Sequence, residues 1–186
     1  MENLKKFIRS FTNLSEESWL ILHDCLTELA VKKGVFLLQE NEVCNSIFFI
    51  SSGFCKSFYI KDGKEINTAF YFEKDFFTNI ISLKNGEKSK YAIKACENSE
   101  VIKFDKFKLL DAYKKSQEIE SFGRKILELI VKKQEEHLDT FKLLSPAQRY
   151  ENLILNQPNI LQRVSLTQIS SYLGISRETL SRIRGK

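Results

Sequence analysis

The chain has 186 residues, 42% of them hydrophobic, and a formal net charge of +5; this is enough apolar material for one large domain or two small ones, and no apolar run is long enough to cross a membrane as a helix. The start, "MENLKKFIRSF", lacks the apolar stretch and cleavage site of a secretion signal. The four cysteines (Cys25, Cys44, Cys55, Cys96) form no C-x-x-C pair, which argues against a disulfide framework or zinc site and for reduced thiols in a cytoplasm.

Residues 15–30, "SEESWLILHDCLTELA", open with the cap Ser15 and carry Trp19, Leu22, Leu26 and Leu29 at helical spacing, which predicts an N-terminal helix. From about residue 31 to 105 the texture changes to short aromatic and β-branched runs: "VFLL", "SIFFIS", "FCKSFYI", "NTAFYF", "YAIKAC" and "EVIKF". Gly34, Gly53, Asp62-Gly63 and Asn85-Gly86 punctuate them. Asp-Gly and Asn-Gly between apolar runs predict hairpins, because both turn positions need positive φ. At least six short strands at this spacing predict a small barrel or jelly roll.

Residues 106–141 return to a helical pattern. In "IESFGRKILELIVKKQEEHLDTF" the residues Ile119, Phe122, Ile126 and Leu129 form a narrow apolar seam with no proline. A helix of that length and seam is rarely stable alone and often pairs with a copy of itself. These four residues are therefore the expected dimer interface; the alternative is that the seam packs on the chain's own barrel. The seam degrades beyond Leu129, at Lys133 and Glu136.

Residues 145–186 form a third unit. "SPAQ" is a capping box, with Ser145 as cap, Pro146 in the first turn and Gln148 reaching back. A helix to about Asn156, the link "QPNILQRV", then "SLTQISSYLG" and "ISRETLSRIRGK" follow. Residues 141–186 hold seven Lys/Arg against two acids, so the whole excess of +5 lies there and the remainder balances. Five of the seven arginines lie there too. A neutral body with a basic, arginine-rich end predicts an acidic partner, double-stranded DNA first.

The stretch 166–184 reads as a helix-turn-helix. Leu166, Ile169, Tyr172 and Leu173 make one apolar face, and Ser170 is small enough for a close crossing. Gly174 suits a left-handed helix end. Ile175 turns into the core, and Ser176 caps the next helix. At 3.6 residues per turn, Arg177, Ser181, Glu178 and Arg182 share one side and Thr179, Ile183 and Leu180 the other. The apolar side docks and the polar side is free to read base edges. Read singly, these features are those of any helical hairpin with a solvated face; together with the segregated charge they favour DNA.

"SYLGISRETLSRIR" resembles the DNA-binding end of the Crp/Fnr family of bacterial transcription regulators, and "SRETLSR" is similar to the recognition helix of its cyclic AMP receptor protein-like members. The order of barrel, long helix and helix-turn-helix, the "IFFISSGFCKSFY" strand pair around Gly53 and the "DGKE" hairpin resemble the family as well. The resemblance implies an α+β fold. Residues 1–113 would be a cyclic-nucleotide-binding-type β-roll (jelly roll) with N-terminal helices. Residues 114–141 would be the dimerisation helix, and 142–186 the helix-turn-helix domain. It implies a cytoplasmic homodimer that reads an inverted-repeat operator through helix 176–184, with RNA polymerase as a further partner. Arg177, Glu178, Ser181 and Arg182 would read bases; Ser176, Thr179, Thr167 and Arg184 would meet phosphates.

Family barrels that bind a cyclic nucleotide use a Gly-Glu pair and an Arg-Ser pair. Here Thr78-Asn79 and Lys88-Ser89 stand at those positions. Asn79 retains hydrogen bonding and Lys88 retains charge, but the glycine is missing, so a different, unidentified small-molecule effector or none is expected, and no cofactor. Family members usually continue into a small β-wing. This sequence ends at Lys186, so the likeness is to a short form without the wing. A cupin-type metal enzyme needs several strand ligands; with only His23 and His137 available, both expected on helices, no metal site and no enzyme is predicted. No cysteine precedes Cys25, unlike an iron–sulfur regulator. The competing reading is a ligand-binding β-roll module whose helical tail mediates protein–protein interaction.

Overall fold

The structure, a computed structural model, describes residues 1–185; Lys186, one of the basic residues of the C-terminal segment, lies outside them. The elements run α1 (Glu2–Phe11), α2 (Glu16–His23), β1 (Leu26–Val31), β2 (Phe36–Leu38), β3 (Ser46–Ser52), β4 (Cys55–Lys61), β5 (Lys64–Tyr71), β6 (Phe76–Phe77), α3 (Ile80–Asn85), β7 (Ala92–Ala95), β8 (Ser99–Asp105), α4 (Lys106–Lys115), α5 (Gln117–Leu143), α6 (Pro146–Asn156), α7 (Ile160–Arg163), α8 (Leu166–Tyr172) and α9 (Arg177–Arg184). They fall into two compact units. The first is Met1–Ser57 with Phe70–Ile130; the second is Phe58–Ala69 with the chain from Val131 onward.

The strands form two four-stranded sheets, ordered β1-β8-β3-β6 and β2-β7-β4-β5, the jelly roll expected of the aromatic runs. β3 shows why those runs are continuous rather than alternating. Ile47 and Phe49 enter a core shared with α1, α2, α4 and α5. Phe48 and Ile50 enter a second core with Val31, Leu38, Phe77, Ile93 and Val101. Both faces of the strand are buried, so both must be apolar, and each such side chain contributes about 1.5–3 kcal/mol. The Asp62-Gly63 hairpin forms as predicted, with φ of 51° and 72°. At Gly53 (φ 87°) any Cβ would also collide with the Ser99 side chain and come within 2.8 Å of its Cα.

Three expectations are corrected. The helix over 15–30 stops at His23, and Leu26 and Leu29 lie on β1, facing Phe104 and Val101 of β8. Their spacing fits a helix by coincidence, and pairing with β8 overrides local pattern. Asn85-Gly86 is not a hairpin turn. It ends α3, with Gly86 at φ 72° donating to the Ser82 carbonyl; positive φ serves a helix cap as well as a hairpin.

The third correction concerns the seam of α5. Ile119, Phe122 and Ile126 are at most 1% exposed and belong, with Ile130, to the first unit's own core, so they are spent there and cannot also form a dimer contact. Leu129 is 40% exposed. A Cβ at Gly123 would collide with the Tyr113 hydroxyl, so this helix lies close against α4. The two helices are separate because Ser116 is extended (φ −146°, ψ 117°) and its hydroxyl accepts from the Ile119 N–H at 3.3 Å.

Among the described residues no helix is long and apolar enough to cross a membrane, and no three His, Cys, Asp or Glu residues gather as metal ligands. The cysteines are free thiols; Cys25, Cys44 and Cys55 are buried, and burial pushes the Cys55 thiol up to about 12.

Candidate nucleic-acid interface

The basic C-terminal segment lies in the second unit. Ser145 caps α6 in the predicted capping box with Gln148. Leu153, Ile160, Val164, Ile169, Leu173 and Leu180 supply the buried apolar side chains of α6 to α9. α8 and α9 meet through a turn at Gly174 (φ 66°), where the Ile175 N–H donates to the Ser170 carbonyl at 3.0 Å. Ser170, 5% exposed, is the small residue expected at their contact. Ser176 caps α9, its hydroxyl accepting from the Thr179 N–H at 3.1 Å.

α9 is two-sided as predicted. Leu180 is 1% exposed, and Thr179 and Ile183 are half-buried. Arg177, Glu178, Ser181, Arg182 and Arg184 are exposed. Glu178 lies in the first turn. Its own backbone N–H, then the Ser176 hydroxyl, hold its carboxyl below the usual range, with Arg177 and Arg182 adding to the effect. The face therefore carries a fixed anion between two guanidiniums at neutral pH. Thr167, on α8, is exposed, whereas Ser176 and Thr179 have their hydroxyls 3.1 Å apart, and Thr179 also accepts from Arg182 at 3.3 Å.

The second polar cluster, in the first unit, is built differently. Thr78, Asn79 and Ser89 are buried and bonded to their surroundings. The Thr78 hydroxyl donates to the Ser46 carbonyl at 2.8 Å. Asn79 caps α3 by accepting from the Ser82 N–H at 3.2 Å, and its amide donates to the Ser89 hydroxyl at 2.8 Å. Ser89 in turn donates to the Tyr91 carbonyl at 2.6 Å. Lys88 alone of the four expected effector residues is exposed, at an isolated bridge to Val43. Of the other three, Asn79 and Ser89 bond each other, and Thr78 turns to the Ser46 carbonyl.

Residues 28–116 match the family model of the cyclic nucleotide-binding domain. The chain is 27% identical over 169 residues to the transcriptional activator protein Anr of Pseudomonas aeruginosa, covering 82% of this chain and 67% of that protein. Among solved structures it is similar to FixK2 of Bradyrhizobium japonicum, with a TM-score of 0.71 at 20% identity over 86% of this chain and 83% of that one. It is also similar to a Crp/Fnr-family protein of Eubacterium rectale, with a TM-score of 0.70 at 18% identity over 91% and 82%. The fold is similar to that of a solved Crp/Fnr-family structure. As in the order predicted from its sequence, the chain has a β-roll followed by a long helix.

Some residues that build the chain's basic unit are signalled weakly or not at all in the sequence. Ser165 and Gln168 form a second capping box at the start of α8, which the S-x-x-Q spacing of "SLTQ" signals. The ring of His137 on α5 stacks on Tyr172 of α8, with centroids 4.7 Å apart at 22°, and its Nδ1 is 3.0 Å from the Tyr172 hydroxyl. The guanidinium of Arg149 lies 4.6 Å over the Phe141 ring, so this arginine is engaged within the unit. No sequence pattern signals either pair, because each joins separate helices.

Proposed function

We propose that this chain is a DNA-binding transcription regulator of the Crp/Fnr type that reads an inverted-repeat operator as a homodimer. The observation that carries the reading is the exposed Arg177, Glu178, Arg182 face of α9, opposite the buried Leu180 that docks the helix. In this reading α8 and α9 are a helix-turn-helix with α9 in the major groove. Arg177 and Arg182 donate to guanine N7 and O6, Glu178 accepts from the cytosine amino group, and Ser181 takes either role. Thr167 and Arg184 meet phosphates. Ser176 does so through its backbone N–H at the helix start, whereas the Thr179 N–H and hydroxyl are engaged in the cap and with Arg182, so Thr179 supports that end rather than donating to it.

The dimer contact uses the outer face of α5. Leu127, Val131 and Leu138 are 37%, 43% and 56% exposed and recur at heptad spacing. Asp at both Leu127 and Val131 is expected to give monomers by light scattering with unfolding midpoints retained; a dimer that persists refutes this face. The β-roll takes no cyclic nucleotide in this reading, because Asn79 and Ser89 are bonded to each other and all three of Thr78, Asn79 and Ser89 to backbone groups. Calorimetry with cyclic AMP is expected to show no binding, and micromolar affinity would reverse the assignment. An unidentified effector and RNA polymerase are the further partners.

Selection from a random DNA pool tests the whole. Enriched sites are expected to be two-fold symmetric, with half-site centres about 34 Å apart. Sites without symmetry would leave binding by charge alone.

A further inference from the structure

The inference concerns what holds the reading helix in place, and it rests on the DNA reading above. β5 is the last strand in the order β2-β7-β4-β5, so among the described residues one edge of it has no strand neighbour and presents backbone donors and acceptors. Part of that edge lies in the second unit together with α8. There the Ser171 hydroxyl fills both roles of a missing strand. It accepts from the Asn67 N–H at 3.0 Å and donates to the Glu65 carbonyl at 3.1 Å. One turn earlier on α8, the Gln168 carbonyl accepts from the Asn67 amide at 3.5 Å. Asn67 is 4% exposed.

The next residue of α8 is held from another direction. Tyr172 stacks on His137 and shares the 3.0 Å hydrogen bond with its Nδ1. Adjacent helical residues point about 100° apart, so the two contacts fix both the rotation and the translation of α8. From α8 the constraint passes directly to α9, through the Ile175 to Ser170 backbone bond and the buried Leu180. The α9 face stays exposed in this arrangement.

We propose that Ser171 and Tyr172 form a two-sided clamp on α8, and that both are positioning residues for DNA reading by α9. Base contacts need placement to a fraction of an ångström, whereas attraction of a basic surface to phosphates does not. Loosening the clamp therefore weakens recognition of the preferred sequence and leaves non-specific binding alone. A merely structural role would lower both together.

The test uses the full chain with Ser171→Ala, which removes the hydroxyl, and Ser171→Thr, which keeps it. Hydrogen exchange is expected to speed at least tenfold at the Asn67 amide in Ser171→Ala and to leave the β8 amides unchanged. Affinity for the selected operator is expected to fall five- to tenfold with random-sequence DNA unaffected, and Ser171→Thr restores both. Asn67→Pro removes the same bond from the other side, on an edge strand where proline is tolerated. It has no N–H to exchange, so it is read by DNA binding and is expected to show the same operator loss if Ser171→Ala fails to fold. Unchanged exchange at Asn67 overturns the clamp. Equal loss for operator and random DNA, or no loss for either, overturns the positioning role. A wild-type chain that selects no sequence overturns the DNA reading itself and the positioning role with it, whatever the exchange shows.

Discussion

Two polar clusters in this chain have opposite construction. Thr78, Asn79 and Ser89 each direct their polar atoms at a protein partner, and all are buried. Arg177, Glu178, Ser181 and Arg182 are exposed, and the bonds that Arg182 makes to Thr179 and Glu178 to the helix start lie at the surface, open to exchange with a ligand. A hydrogen bond made inside the protein is a bond not offered to a ligand, and breaking it leaves a buried group unsatisfied. Polarity at a family's site position is thus no sign of binding until the side chain's own partners are counted.

The sharpest way to break the contrast is to open the closed cluster. Asn79→Leu removes the α3 cap and the bond to Ser89, and it places a branched apolar side chain among polar atoms. The expected cost is about 3 kcal/mol of stability, read by urea unfolding, with the order of preferred DNA sites unchanged. A variant of unaltered stability would mean that Asn79 is available to a ligand after all.

The open cluster should respond in the reverse way. Arg177→Ala is expected to leave unfolding within about 0.5 kcal/mol of the parent and to cost about 2 kcal/mol of operator affinity, with relaxed choice at one base pair per half-site. Equal loss for every sequence would reduce the face to a charged surface. Arg184→Gln distinguishes the two kinds of DNA contact. It should weaken all sequences alike and lower the slope of affinity against salt by about one unit.

The elements whose signals are local were legible in sequence. "SIFFIS" reads as a strand because both its faces are buried. "SPAQ", Gly174 and Ser176 read as caps because capping chemistry spans three or four residues. The α9 face was legible for the same reason: eight consecutive residues and one helical period separate Leu180 from Arg177 and Arg182. The α5 seam misled because an apolar stripe shows that a face is covered and not by what. Ile119, Phe122 and Ile126 are covered by their own unit. The pairs Asn67–Ser171 and His137–Tyr172 join residues 104 and 35 positions apart, beyond the reach of any period.

The smallest effect concerns the support behind the open face. Burial pushes the imidazole of His137 below its ordinary value of 6.5, and burial raises the Tyr172 phenol to about 12, so at neutral pH both rings are uncharged. A neutral ring with Nδ1 unprotonated accepts from the Tyr172 hydroxyl. The protonated ring cannot accept there, and it carries a charge that burial penalises. The folded state therefore binds the proton less readily than the unfolded chain. Its stabilising contribution is whole above about pH 6.5 and declines as the pH falls from there through the depressed folded value. His137→Phe keeps the stack on Tyr172 and removes the titration. Between pH 7.5 and 5.5 the parent is expected to lose up to about 1 kcal/mol more stability than this variant. All other titrating groups are common to both proteins, so they cancel in the difference. Identical pH dependence in the two would show that His137 titrates as it does in water, and that the ring stack behind α8 is open to solvent.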